Sequence, residues 1–141
     1  MSIAPWKVLS SLVAVVLITH PVVHAVCPVD QIIVNGTIDH APSNAKVRVQ
    51  LIYAKNMPGD AGEVTIEGGT FRLPLDFLTQ SRGPIINGAF AKCNRRPRTV
   101  VVTLADDNQE YDRVVLDFAK DFKMADSTTY TLRSAVRLGA H

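Results

Sequence analysis

Cysteine is scarce in this chain: 141 residues contain two, Cys27 and Cys93, and no CxxC pair. Histidine is scarce as well, with four, of which only His40 and His141 lie beyond residue 25. A structural zinc site draws four ligands from clustered Cys and His, and this chain cannot assemble them. A histidine-based acid–base pair is equally out of reach with one internal histidine. Neither charge sign dominates, since 15 lysines and arginines face 13 acids. General polyanion binders are far more basic, so a nucleic-acid role is excluded. Repeats, low-complexity tracts and a second domain are also missing. Beyond the N-terminus no stretch is apolar enough to span a bilayer, which takes about 20 residues.

The N-terminus carries its own pattern. Lys7 is the only charged side chain in residues 1–25, and the apolar run VLSSLVAVVLI follows at 8–18. His20-Pro21 breaks the run, and VVHA ends in small-residue spacing at Val23 and Ala25. A positive start, a short apolar stretch and a small-residue cleavage site make a secretory signal peptide. The expectation is a leader at 1–25 and one secreted, extracellular domain at 26–141. That domain keeps 14 basic against 13 acidic side chains. Its 116 residues suffice to bury a core without many disulfides. In an oxidising compartment the cysteine pair reads as a Cys27–Cys93 disulfide. It would close a loop of about 66 residues and contribute about 4 kcal/mol.

After Cys27, short β-like runs alternate with turn signals. The runs are 31–39, 45–54, 63–67, 70–76, 84–93, 98–105, 110–118 and 127–138. In 45–54, Val47, Val49, Leu51 and Tyr53 share one face, with Lys46, Arg48 and Gln50 on the other; this is a half-buried strand. Gly68-Gly69 signals a two-residue hairpin. Pro74 cannot donate to a ladder and places 70–76 at a sheet edge. KNMPGDAG at 55–62 reads as a loop, 77–83 as a helical turn, and 119–126 as a loop or helical turn. In 110–118, Val114, Leu116 and Phe118 point inward. In 127–138, Tyr130, Leu132, Ser134, Val136 and Leu138 share a face opposite Arg133 and Arg137. Seven to eight short strands without a long helix predict an all-β, antiparallel two-sheet sandwich.

Several stretches resemble the nematode transthyretin-like secreted proteins: VNGTIDHAPSNAKVRVQLIYA (34–54), GGTFRLPL (68–75) and AFAKCNRRPRTVVVTLADD (89–107). The resemblance covers most of 31–118, and the chain departs from it in having two cysteines where that family often has four. It implies a transthyretin-like, immunoglobulin-like sandwich that is secreted and has no known catalysis. Small secreted effectors of plant-pathogenic fungi adopt such sandwiches too. The superfamily also contains hydroxyisourate hydrolases, but their C-terminal Tyr-Arg-Gly-Ser motif is absent from TYTLRSAVRLGAH.

The expected activity is therefore non-enzymatic, with no cofactor. The chain would be an effector-like, monomeric or weakly dimeric protein that binds a protein partner outside the producing cell. The specific expectation is restraint of a host enzyme such as a papain-like cysteine protease, whose cleft accepts loops. The alternatives are a transthyretin-type carrier of a small apolar ligand and a hydrolase. Candidate contacts are Asn56, Met57, Pro58 and Gly59 in one loop, Arg82, Gly83 and Pro84 in another, and Arg95, Arg96 and Arg98 on a solvated basic rim. Neutralising that rim should leave folding intact. Asp39 beside His40 reads as polar strand-end residues, and 106–110 as a solvated hairpin turn, since a calcium loop would need a turn glycine. Asn35-Gly36-Thr37 is the one N-glycosylation sequon.

Overall fold

The computed structural model describes residue 27, residues 29–79 and residues 95–140. The expectations for the leader, for a strand at 84–93, and for Arg82, Gly83, Pro84 and Cys93 lie outside the described residues. No helix among the described residues is long and apolar enough to cross a membrane.

Period-two alternation sets the strands. In β1 (Val29–Asp39), Ile32, Val34 and Ile38 are buried while Asn35, Thr37 and Asp39 are exposed. In β2 (Lys46–Tyr53), Val47, Val49, Leu51 and Tyr53 point inward, as expected. In β5 (Thr99–Ala105), Val100, Val102 and Leu104 are fully buried. Each such aliphatic side chain contributes about 1.5–3 kcal/mol by leaving water. The remaining strands are β3 (Met57–Thr65), β4 (Thr70–Leu78), β6 (Glu110–Asp117), β7 (Phe122–Met124), β8 (Thr129–Leu132) and β9 (Val136–Gly139). One turn of helix, α1 (Phe118–Asp121), precedes β7. It is capped reciprocally: the Asp117 carboxylate accepts from the Lys120 amide, and the Asp121 carboxylate accepts from the Asp117 amide.

Two sheets face each other across this core. Sheet B runs β3-β2-β5-β6 and is antiparallel throughout. Sheet A runs β4-β1-β8-β7, with β9 beside β1 beyond the end of β8. The all-β sandwich is as expected. Sheet A is mixed rather than purely antiparallel, because β8 and β9 both run parallel to β1. The first two strands lie in different sheets, whereas an immunoglobulin constant domain keeps its first two together. Pro74 lies on an edge strand, β4, as its missing donor requires. At one end of the core Phe77, Phe118, Phe122 and Tyr130 form an aromatic cluster, with ring centroids 5.0–6.2 Å apart.

Three expectations change. Residues 57–62 are not loop but the first part of β3, which pairs with β2 after a single 3-10 turn at Ala54–Asn56. Lys55 and Asn56 take left-handed conformations there, φ 62° and 56°, so the chain reverses before Pro58. Residues 77 and 78 extend β4 instead of starting a helical turn. The closing strand is two strands. Ile33 pairs with Thr131 but Gly36 pairs with Val136, so two extra residues bulge out near 133–135 and Ser134 is exposed. Tyr130, Leu132, Val136 and Leu138 still point inward.

The Gly68-Gly69 turn forms, with φ of 60° and 72° and paired bonds between Glu67 and Thr70. Its arms then separate, β3 to the edge of sheet B and β4 to the edge of sheet A.

Candidate functional site

The basic stretch is a strap across one end of the sandwich. The Arg95 amide donates to the Thr79 carbonyl at 2.8 Å, and its guanidinium stacks 3.6 Å from the centroid of the buried Tyr53 ring. Arg96 Nε donates to the Tyr130 hydroxyl at 3.1 Å, and its Nη2 lies 3.7 Å from a carboxylate oxygen of the buried Asp30. Pro97 is buried between them and Arg98. Arg98 donates its amide to the Ile52 carbonyl and accepts from the Phe118 amide, while its side chain is exposed. Arg96 and Arg98 are exposed, as the expected solvated rim requires, while Arg95 is half-buried; Arg95 and Arg96 in addition hold their own chain. Burying Asp30 and Tyr53 without these cations would leave a carboxylate unpaired and a ring face uncovered.

The structure brings several candidates together around Tyr53, although not as a loop tip. Met57 pairs with Tyr53 and Pro58 with Ile52. A Cβ at Gly59 would fall 2.0 Å from the Tyr53 ring, so the ring occupies the space a side chain would need. Asn56 stays at the turn, and Met57 is 47% exposed. Asp39 and His40 do not form a dyad, because Arg137 takes the Asp39 carboxylate at 2.7 Å. Residues 106–109 form the expected turn, which the Asp106 carboxylate organises by accepting from the Asn108 and Gln109 amides and the Tyr111 hydroxyl.

The feature that sequence reasoning missed is the outer face of sheet B. Strand register arranges it in cross-strand rows. One runs Pro58, Ile52, Thr99, Asp117; the next Ala61, Gln50, Val101, Val115; the third Glu63, Arg48, Thr103, Arg113. Most of this face lines a groove of about 770 Å³, bounded by the 106–109 turn. Val115 is 60% exposed. The Gln50 amide bridges to the Gly59 carbonyl at 2.8 Å. The charged end is internally paired: Arg48 with Glu63 at 2.6 Å, Lys46 with Glu63 at 3.3 Å, and Arg113 with Glu110 at 2.8 Å. Hydrogen bonds from Arg48 and then Lys46 hold the Glu63 carboxyl below its ordinary value. The Tyr111 hydroxyl, followed by the turn amides, does the same for Asp106.

Signals for this face existed. Val115 alternates with the inward Val114 and Leu116, and the run Val100-Val101-Val102 must send its middle member outward. The outer face of sheet A contrasts with it. Its rows pair Val29 with Leu78, both about half exposed, then Gln31 with Asp76, Ile33 with Pro74, Asn35 with Arg72 and Thr37 with Thr70.

Cys27 is 1% exposed and is not a free thiol. The chain matches no protein-family model, no curated protein and no solved structure.

Proposed function

We propose that this chain is a secreted, non-enzymatic β-sandwich that binds another protein outside the producing cell through the outer face of sheet B. The observation that carries the reading is the difference between the two outer faces. Sheet A keeps its exposed apolar pair, Val29 and Leu78, at one end of an edge row, with Gln31, Asn35 and Thr37 further along; sheet B puts Ile52 and Val101 in a groove beside a paired ionic end, with exposed Val115 next to Val101. An apolar centre with a satisfied polar margin is the anatomy of protein contact surfaces. The groove is open and its wall carries Arg48, Glu63, Asp107, Glu110 and Arg113. That favours a protein over a small apolar ligand, which calls for an enclosed and mostly apolar site.

The transthyretin-like resemblance stays part of the proposal, supported by the two-sheet architecture. Restraint of a papain-like protease by a wedge loop loses support at 56–59, since three of those residues lie in β3 and Met57 and Pro58 are paired with β2. A sheet face suits a broad protein surface better than a narrow cleft.

The proposal includes the Cys27–Cys93 disulfide. Arg96 reaches Asp30, and each cysteine lies three residues from one member of that pair, a span of at most about 10 Å of chain. The test is a pull-down from the extracellular fluid of the host tissue, with wild-type protein and Val115→Arg as baits. The reading expects one protein retained by wild type and lost from the variant. Retention of nothing at micromolar bait, or equal retention by both, sinks it.

A further inference from the structure

Asn35 is out of place as a strand residue. Asparagine is depleted in strands, yet it sits at the middle of the eleven-residue β1. Its side chain is exposed on the outer face of sheet A, in register with Arg72 of β4. On the other flank β1 has no ladder partner at Asn35, because β8 pairs only as far as Ile33 and β9 begins at Gly36. The 133–135 bulge lies at this break. Thr37 points to the same face and is exposed. Among the described residues neither side chain is engaged by another group.

Gly36 between them has a separate structural reason. A Cβ there would fall 2.1 Å from the Val136 carbonyl oxygen and 2.8 Å from the Phe71 ring. Packing thus explains the glycine and leaves the asparagine and the threonine hydroxyl unexplained. Acceptor chemistry for an N-linked glycan explains both.

We propose that Asn35 carries an N-linked glycan, an inference that rests on the secretion reading. The Asn35 amide nitrogen forms a bond to C1 of an oligosaccharide held on a lipid pyrophosphate. The bond from C1 to the phosphate oxygen breaks, the lipid pyrophosphate leaves with the electron pair, and the amide releases one proton. The Thr37 hydroxyl is the group by which the transferase selects this asparagine. The sugar then stands on the outer face of sheet A, beside the Ile33–Pro74 row, and keeps that face from protein contact. Sheet B is left as the open face.

The test is expression of the full chain in cultured eukaryotic cells, once with its own N-terminus and once with residues 1–25 replaced by an established secretory leader. Protein from the medium is treated with peptide-N-glycosidase and mass-measured. The expected result is a downward shift and conversion of Asn35 to Asp, absent in Asn35→Gln and Thr37→Ala and retained in Thr37→Ser. Secreted protein with Asn35 at its unmodified mass overturns the site while leaving secretion standing. A chain glycosylated only behind the foreign leader supports the site and overturns secretion by the native N-terminus.

Discussion

Arg96 has two partners that a search for charge cannot reveal, the Tyr130 hydroxyl and the buried Asp30 carboxylate. In sequence the cluster RRPR looks like a single patch. In the fold its members divide: Arg95 covers Tyr53, Arg96 serves Asp30, and Arg98 alone keeps a free-standing exposed side chain. Arg96→Ala should therefore cost about 1–3 kcal/mol, the penalty for stranding a buried polar partner. Adding Asp30→Asn should return part of the loss, because the stranded charge is removed. Urea unfolding of the single and double variants measures both. A single variant as stable as wild type would remove this holding role from Arg96. Arg95→Ala should cost about 0.5–2 kcal/mol through the lost stacking on Tyr53. At Gly36 the obstacle is backbone oxygen, not a flexible side-chain end. Gly36→Ala should therefore reach the upper part of the overpacking range of about 1–3 kcal/mol, read as a fall in the thermal midpoint.

At the scale of elements, the strands with clean alternation were legible and the irregular ones were not. Residues 46–53 and 99–105 announce themselves because valine and leucine recur at every second position. Residues 57–62 do not, since Pro58, Gly59 and Gly62 carry no strand signal. They are held as strand by the β2 ladder and by the Tyr53 ring over Gly59. The break between β8 and β9 was illegible for another reason. Alternation survives a two-residue insertion, because inward positions stay inward, so the sequence pattern runs through a register shift without a mark. The outer face of sheet B was partly legible in the outward Val101 and Val115, but only pairing order could show that they share a row.

Turn chemistry makes a prediction at the same scale. Glu63, Asp106 and Asp126 all have carboxyl groups held below their ordinary values by hydrogen bonds, from Arg48, from Tyr111 and from the Thr128 amide respectively. A carboxylate whose folded value is depressed stabilises the fold above its unfolded value, and that help is lost as pH falls through the folded value. Thermal stability should be flat near neutrality and fall below about pH 4, the ordinary carboxylate range. Asp106→Asn should lower the neutral-pH midpoint and shrink the acid-induced drop. An acid profile unchanged in that variant would remove the turn from the account.

For the whole molecule, the proposed disulfide and the two faces carry the claim. With Cys27 joined to Cys93, reduction should lower stability by about 4 kcal/mol, and a thiol assay on the secreted protein should find none. Two titratable thiols would refute the pairing. The two sheets have different proposed tasks: sheet A holds the sequon, and sheet B makes the contact. An unsatisfied arginine pushed into an apolar contact centre costs well over the 1.4 kcal/mol that makes a tenfold change in affinity. The direct measurement is therefore the dissociation constant of the captured partner for three proteins by calorimetry: wild type, Val115→Arg on sheet B, and Arg72→Glu on sheet A. The account predicts a loss of more than about tenfold for Val115→Arg and no change for Arg72→Glu. A loss confined to Arg72→Glu, with Val115→Arg binding as wild type, would contradict it.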